Sequence, residues 1–154
     1  MFVLLAIQNS WWYLSAHFLR NAMTKKELVL IAQKAQKKAY APYSNFRVGS
    51  AVLTKSGKVF TGCNVENSSY SLTCCAERIA LFNAVSAGEL QFKEIAIVGD
   101  ANDYTPPCGS CRQVILELAG PKCKVHMVHP NGKIKTVTIS ELVPYPFGFS
   151  HLSA

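Results

Sequence analysis

The stretch Pro107-Cys108-Gly109-Ser110-Cys111 carries two thiols in a C-x-x-C spacing. Such a pair cycles between dithiol and disulfide, forms a fixed disulfide, or binds metal. It opens an apolar-periodic segment, so both thiols lie near the unpaired N–H groups of a helix start, which favour thiolate charge. That placement suits a thiol-disulfide module as well as a metal site. Upstream, Thr73-Cys74-Cys75-Ala76-Glu77-Arg78 sets further thiols at a second helix start. Three thiolates from two helix N-termini can hold one tetrahedral zinc ion and leave its fourth position open, as catalytic zinc sites do. Cys74, His126 and His129 are the candidates for closing that position; consecutive side chains on extended backbone point apart, which sets Cys74 against Cys75. Glu77 stands two positions beyond Cys75 in the same first turn and can reach the open position, where a carboxylate would shuttle protons. A glutamate at a helix start otherwise only offsets the helix dipole.

The elements that must position these groups follow from pattern. Thr24-Lys25-Lys26-Glu27 is a capping box. Leu28, Ile31, Ala32, Ala35 and Ala39 then mark one helical face that runs until Ala41-Pro42. Two alternating runs, Arg47 to Thr54 and Lys58 to Val65, joined by Lys55-Ser56-Gly57, predict an antiparallel hairpin. A helix is expected from Cys75 to Ala87, with Ala76, Ile79, Ala80 and Val85 on one side and Gly88 at its end. Glu94 to Gly99 reads as a buried strand, Gly109 to Ala119 as a helix stopped by Gly120-Pro121. Strands follow at Lys124 to Val128 and Ile134 to Ile139, turned by Pro130-Asn131-Gly132. Strand, crossover helix and strand across 94–128 imply a parallel pair, so a mixed sheet with helices on its faces is expected. Cys63 and Cys123, in or beside strands, read as small buried hydrophobes.

Composition narrows the class. The chain has 154 residues, 49% hydrophobic and 16% charged, which describes one globular domain rather than a disordered chain. Its longest apolar run, Met1 to Ile7, falls short of the ~18 residues a membrane span needs. A net charge of +7 would permit nucleic-acid binding. The lysines are scattered, however, without an aromatic-basic stripe, so neither a nucleic-acid nor a membrane partner is expected. No basic region precedes the apolar N-terminus, so a signal peptide is not expected and the thiols should stay reduced inside a cell. Residues 1–22, with Trp11-Trp12-Tyr13 and almost no charge, look unlike the rest. Met23 could be a start, so 1–22 reads as an extension to a domain over 23–154, the alternative being an anchoring or packing segment.

Cys75-Ala76-Glu77 and Pro107-Cys108-Gly109-Ser110-Cys111-Arg112-Gln113 match the Cys-x-Glu…Pro-Cys-x-x-Cys pattern of zinc deaminases. With Tyr40-Ala41-Pro42-Tyr43-Ser44-Asn45-Phe46-Arg47-Val48-Gly49 and Gly62-Cys63-Asn64-Val65-Glu66-Asn67, the chain resembles the small homotetrameric, three-cysteine cytidine deaminases over about residues 24–150. Ser50, where that family commonly has alanine, departs from the pattern.

The resemblance implies a three-layer α/β/α fold with a mixed five-stranded sheet and a cytoplasmic enzyme of pyrimidine salvage. One zinc per chain would be held by Cys75, Cys108 and Cys111. Water activated at the metal would attack carbon 4 of cytidine or deoxycytidine, while Glu77 moves protons to the ring and to the departing amine; uridine or deoxyuridine and ammonia would leave. Phe46 corresponds to the wall of the pyrimidine pocket, the Ala76 N–H to the contact with the base carbonyl, and Asn64 and Glu66 to ribose binders. Arg78 corresponds to the arginine that hydrogen-bonds the ligand sulfurs, offsetting their excess negative charge. Tyr70 and Phe147 correspond to residues that complete a neighbouring subunit's pocket in the tetramer. A deaminase of a related nucleoside such as blasticidin S shares the zinc motifs, and a C-x-x-C thiol-disulfide module would bind no metal.

Overall fold

The computed structural model describes residues 23–148 and 151–152, so the expectation for 1–22 lies outside the described residues. Helix α1 spans Lys25–Gln36, and its Thr24 and Glu27 form the capping box: Thr24 Oγ1 accepts from Glu27 N at 3.3 Å while Thr24 N donates to Glu27 Oε2 at 2.8 Å. The helix ends at Gln36, six residues before Pro42, rather than at it. Tyr40 instead pairs with the strand extension beyond Cys63, donating to Asn64 O at 3.0 Å and accepting from Glu66 N at 2.9 Å. Those long-range bonds satisfy the backbone that a longer helix would have used internally.

Strands β1 (Val48–Thr54) and β2 (Val59–Cys63) form the expected hairpin, and β3 (Phe92–Gly99) pairs antiparallel with β1 on its other side. Helix α2 (Ala76–Ser86) precedes β3, and α3 (Gly109–Ala119) links β3 to its parallel neighbour β4 (Lys124–Val128). Strand β5 (Ile134–Thr138) closes the far edge and runs into a one-turn helix α4 (Ile139–Leu142). The order β2-β1-β3-β4-β5 is the mixed five-stranded sheet expected. Strand β3 begins two residues earlier than its apolar pattern suggests, because Phe92 pairs with Thr54 across a register shift.

Alternation along the strands divides the core into two layers. Ala51, Leu53, Ala96, Val98 and Val128 face Leu28, Val29 and Ala32 of α1. Val52, Ile95, Ile97, Val125 and Met127 face Ala80, Leu81 and Ala84 of α2, Ile115 of α3 and Ile139 of α4. Helices therefore cover both faces of the sheet, and each large aliphatic side chain buried there contributes roughly 1.5–3 kcal/mol. Within α2 the buried face is Ala76, Glu77, Ala80, Leu81 and Ala84, whereas Ile79 and Val85 are half-buried. The stripe is rotated from the sequence reading because α2 packs against β2 as well as the sheet centre. Ser50 is fully buried and satisfied, its hydroxyl donating to Ala96 O at 3.0 Å across β1 and β3.

Two glycines set the distance between layers. A Cβ on Gly62 would overlap Ala76 O and lie 2.5 Å from Ala80 N, so α2 can rest on β2 only because that side chain is absent. On the opposite face, a Cβ on Gly49 would lie 2.7 Å from Gln36 Cα. Register gathers the start of β1 and the ends of β2 and β3 at one edge: Gly49 pairs with Cys63, and Val48 with Gly99. The N-termini of α2 and α3 lie beyond that same edge.

Candidate active site

Cys75 is the N-cap of α2 and Cys108 the N-cap of α3. Neither thiol makes a capping hydrogen bond to its own helix. Cys111 follows at the third helical position of α3 and is fully buried. Residues at N-cap and N3 are the pair whose side chains meet in a capping box. The C-x-x-C spacing uses that geometry to turn two thiols toward one point. Cys75 adds the third sulfur, 3.8 Å from Cys108 Sγ, and all three Sγ atoms lie within 4.8 Å of one another. A tetrahedral ion about 2.3 Å from each sulfur requires sulfurs about 3.8 Å apart, so the cluster fits zinc and has room for one further ligand.

Protons already follow the metal-site pattern. Contact with the Cys111 thiol, helped by the Arg78 guanidinium and the Cys108 thiol, pulls Cys75 down to about 5. The same bond to Cys75, together with burial, pushes Cys111 up. A metal ion bound there would displace the proton that the Cys111 thiol holds. Arg78 Nη2 donates to Thr73 O at 2.8 Å and lies 3.9 Å from Cys75 Sγ.

Cys74 points elsewhere. Its N–H and C=O both pair with Val65 at 3.0 Å, and this short antiparallel bridge fixes the backbone ahead of α2. Alternation then sends the Cys74 and Cys75 side chains to opposite sides. The two histidine candidates are also remote from the cluster. His126 is 2% exposed on the α1 side of the sheet, bonded to Glu94 at 3.0 Å and Thr136 at 2.9 Å. His129 packs edge-on against Tyr104. Cys123 is buried as expected, but Cys63 is half-buried and donates to Lys38 O at 3.3 Å.

Glu77, in the first turn of α2, is 4% exposed. Burial, reinforced by the neighbouring Cys75 charge, pushes its carboxyl up to about 7. An acid of that strength can both take and return a proton near neutrality.

The loop before β1 forms the rim. Asn45 takes a left-handed backbone (φ 54°), which asparagine tolerates better than most residues, and Phe46 follows at 37% exposure. Asn64 and Glu66 hold that loop. Asn64 Oδ1 accepts from Val48 N at 2.7 Å and its Nδ2 donates to Phe46 O at 2.8 Å. Glu66 accepts from Tyr43 N at 2.9 Å, Ser44 N at 3.2 Å and the Ser44 hydroxyl, which hold its carboxyl below the usual range. Tyr70 packs edge-on against Tyr43 and is 74% exposed; Phe147 is 59% exposed near the C-terminus. The sequence reading missed Asp100, which binds Arg47 Nε and Gln36 Nε2 at 2.8 and 3.0 Å and anchors the loop's far end. It also missed a role for Gln113, whose Nε2 donates to Phe147 O at 2.8 Å.

Comparison with known proteins gives the geometry its relatives. The family model described as the cytidine and deoxycytidylate deaminase zinc-binding region matches residues 23–127. The chain belongs to this deaminase family. A cytidine deaminase of Sporosarcina psychrophila is 44% identical over 131 residues, covering 85% of this chain and 96% of that protein. The crystal structure of cytidine deaminase from Burkholderia pseudomallei is 48% identical with a TM-score of 0.79, covering 81% of this chain and all of that one. A blasticidin-S deaminase of Bacillus cereus is 35% identical over 129 residues, covering 79% of this chain and 90% of that protein. The family's zinc-binding region includes the Cys75, Cys108 and Cys111 cluster, so the C-x-x-C pair is part of a metal site rather than a thiol-disulfide module.

Proposed function

We propose that this protein hydrolyses the exocyclic amine of cytidine and deoxycytidine, giving uridine or deoxyuridine and ammonia. The observation that carries the reading is the buried Glu77 carboxyl in the helical turn that begins at a three-thiol cluster sized for zinc. A zinc ion bound by Cys75, Cys108 and Cys111 supplies the Lewis acidity that makes water a nucleophile at neutral pH. The carbon 4–oxygen bond forms as water adds and the carbon 4–nitrogen bond breaks as ammonia departs. Glu77 takes one proton from the water and delivers it to ring nitrogen 3, then carries the second proton, from the new hydroxyl on carbon 4, to the amine, which leaves as ammonia while the carbonyl forms. The Ala76 N–H, at the positive end of α2, donates to the base carbonyl. Phe46 stacks on the pyrimidine, and Arg78 balances the charge of the thiolates.

Asn64 and Glu66 meet the sugar hydroxyls. Each keeps hydrogen-bonding capacity beyond the loop contacts it already makes, since an amide offers two donors and a carboxylate about four acceptor sites. Tyr70 and Phe147, both largely exposed, complete the pocket of a neighbouring copy in a homotetramer. We assign the catalytic unit to residues 23–154, with 1–22 as an extension. The six free thiols suit the reducing cytoplasm.

The test is the loss of cytidine's ultraviolet absorbance, comparing wild type with Glu77→Ala at equal zinc content, with blasticidin S assayed in parallel. Turnover of cytidine by the first and near-total loss in the second supports the reading. Zinc-loaded wild type that leaves cytidine untouched overturns it, and turnover of blasticidin S alone would move the assignment to that substrate.

A further inference from the structure

Arg112 and Gln113 complete the second cysteine motif, yet among the described residues neither side chain hydrogen-bonds to a thiol of the cluster. Both reach toward the C-terminal segment. Arg112 Nε donates to Pro107 O at 2.9 Å, just ahead of Cys108, and its Nη1 donates to Leu142 O at 3.3 Å. Gln113, two residues after Cys111, donates through Nε2 to Phe147 O at 2.8 Å.

The second bond has a particular place in the fold. Beyond Val143, which packs against the core, residues 144–147 are exposed and carry Tyr145 at 95% and Phe147 at 59% exposure. Among the described residues, Gln113 makes the one hydrogen bond between residues 144–148 and the body of the domain. His151 stacks on the Phe147 ring at 5.3 Å and, among the described residues, hydrogen-bonds only to Gly148, so it gives the segment no anchor on the body of the domain there. A large aromatic ring held outward on such a segment needs a fixed backbone to meet any surface reproducibly, because every unfixed residue costs conformational entropy to order on contact.

We propose that Gln113 is a positioning residue: its amide fixes the Phe147 backbone on α3, so that each subunit presents Phe147 correctly to the nucleoside pocket of a neighbouring copy. This rests on the nucleoside-deaminase reading and its shared pocket. Its particular content is that the side chain acts across the subunit boundary although it belongs to the helix carrying Cys108 and Cys111.

The experiment uses the full-length, zinc-loaded protein. Gln113→Met keeps length and removes the donor, whereas Gln113→Lys restores one. Gln113→Met is expected to raise KM for cytidine about three- to tenfold, as loss of one hydrogen bond would, with kcat within about twofold and one zinc per chain retained. Gln113→Lys recovers much of the loss, and amide exchange over residues 145–148 quickens in the Met variant alone. Co-expression with Glu77→Ala subunits under a second tag separates the two directions of action. In purified hybrids, active sites containing Glu77 belong to Gln113→Met subunits but can borrow Phe147 from partners with intact tethers, so KM returns toward the wild-type value. An unchanged KM in Gln113→Met, or a raised KM that persists in the hybrids, overturns the proposal. Wild type without cytidine turnover would instead sink the deaminase reading, and unchanged exchange over 145–148 would then still sink the tether.

Discussion

Asn64 brackets Phe46. Its Oδ1 accepts from Val48 N at 2.7 Å while its Nδ2 donates to Phe46 O at 2.8 Å, and the residue is only 8% exposed. One side chain at the end of β2 thereby fixes the turn that aims an aromatic ring at the rim of the site. Replacing it with near-isosteric leucine orphans two backbone groups. Asn64→Leu should cost about 2–6 kcal/mol in urea unfolding, at about 1–3 kcal/mol per unsatisfied group. Asn64→Asp keeps the acceptor but sets a carboxylate against the Phe46 carbonyl, and should fall between the two. A leucine variant as stable as wild type would show that the bracket contributes nothing.

The paired cysteines should separate cleanly in metal content. The bridge to Val65 turns Cys74 away from the cluster, whereas Cys75 Sγ lies 3.8 Å from Cys108 Sγ. Native mass spectrometry of Cys74→Ser should find one zinc per chain, and of Cys75→Ser much less than one. Loss of zinc from both variants equally would contradict the geometry.

Gly62 and Gly49 make a matched pair on opposite faces of the sheet. Alanine at either position drives a Cβ into a helix backbone and should destabilise by about 1–3 kcal/mol, as overpacking does. Only Gly62→Ala pushes on the turn of α2 that follows Cys75. Chelator competition should therefore show weakened zinc affinity for Gly62→Ala and wild-type affinity for Gly49→Ala.

Asp100 should shape the acid limb of stability. The bond to Arg47 holds its carboxyl below the ordinary value of 3.8. A carboxylate with a lowered folded pKa stabilises above its unfolded value, and that contribution disappears as pH falls through the folded one. Denaturant titrations from pH 7 down to about 2.5 should show Asp100→Asn less stable at neutrality, with a shallower decline below pH ~4. The difference should shrink in salt, because the pair is partly exposed. An identical acid slope in the two proteins would rule the pair out.

Much of the site was legible in sequence because it is local. Thr24 with Glu27, and Cys108 with Cys111, sit at N-cap and N3, and that spacing alone turns their side chains together whatever lies beyond the helix. The hairpin, both cysteine-bearing helices and the parallel β3–β4 pair followed from periodicity in the same way. What depended on contacts between distant segments was not written in any single stretch. The early end of α1 comes from the pairing of Tyr40 with residues around Val65, and the Val65 bridge supplies the backbone reason for Cys75, which the Cys-Ala-Glu motif already favoured over Cys74. Nothing near His126 in sequence announces Glu94 and Thr136, which reach it from neighbouring strands and keep it far from the thiols. Asn64 looks like an ordinary polar residue at a strand end until β1 brings Phe46 and Val48 beside it, and Gln113 acquires a partner 34 residues later only through the docking of the C-terminal segment. The sequence by itself determined which groups could do the chemistry, since short-range backbone geometry dictates their spacing. Tertiary structure decided which are free to do it, because hydrogen bonds between remote segments form only once the sheet has set their register.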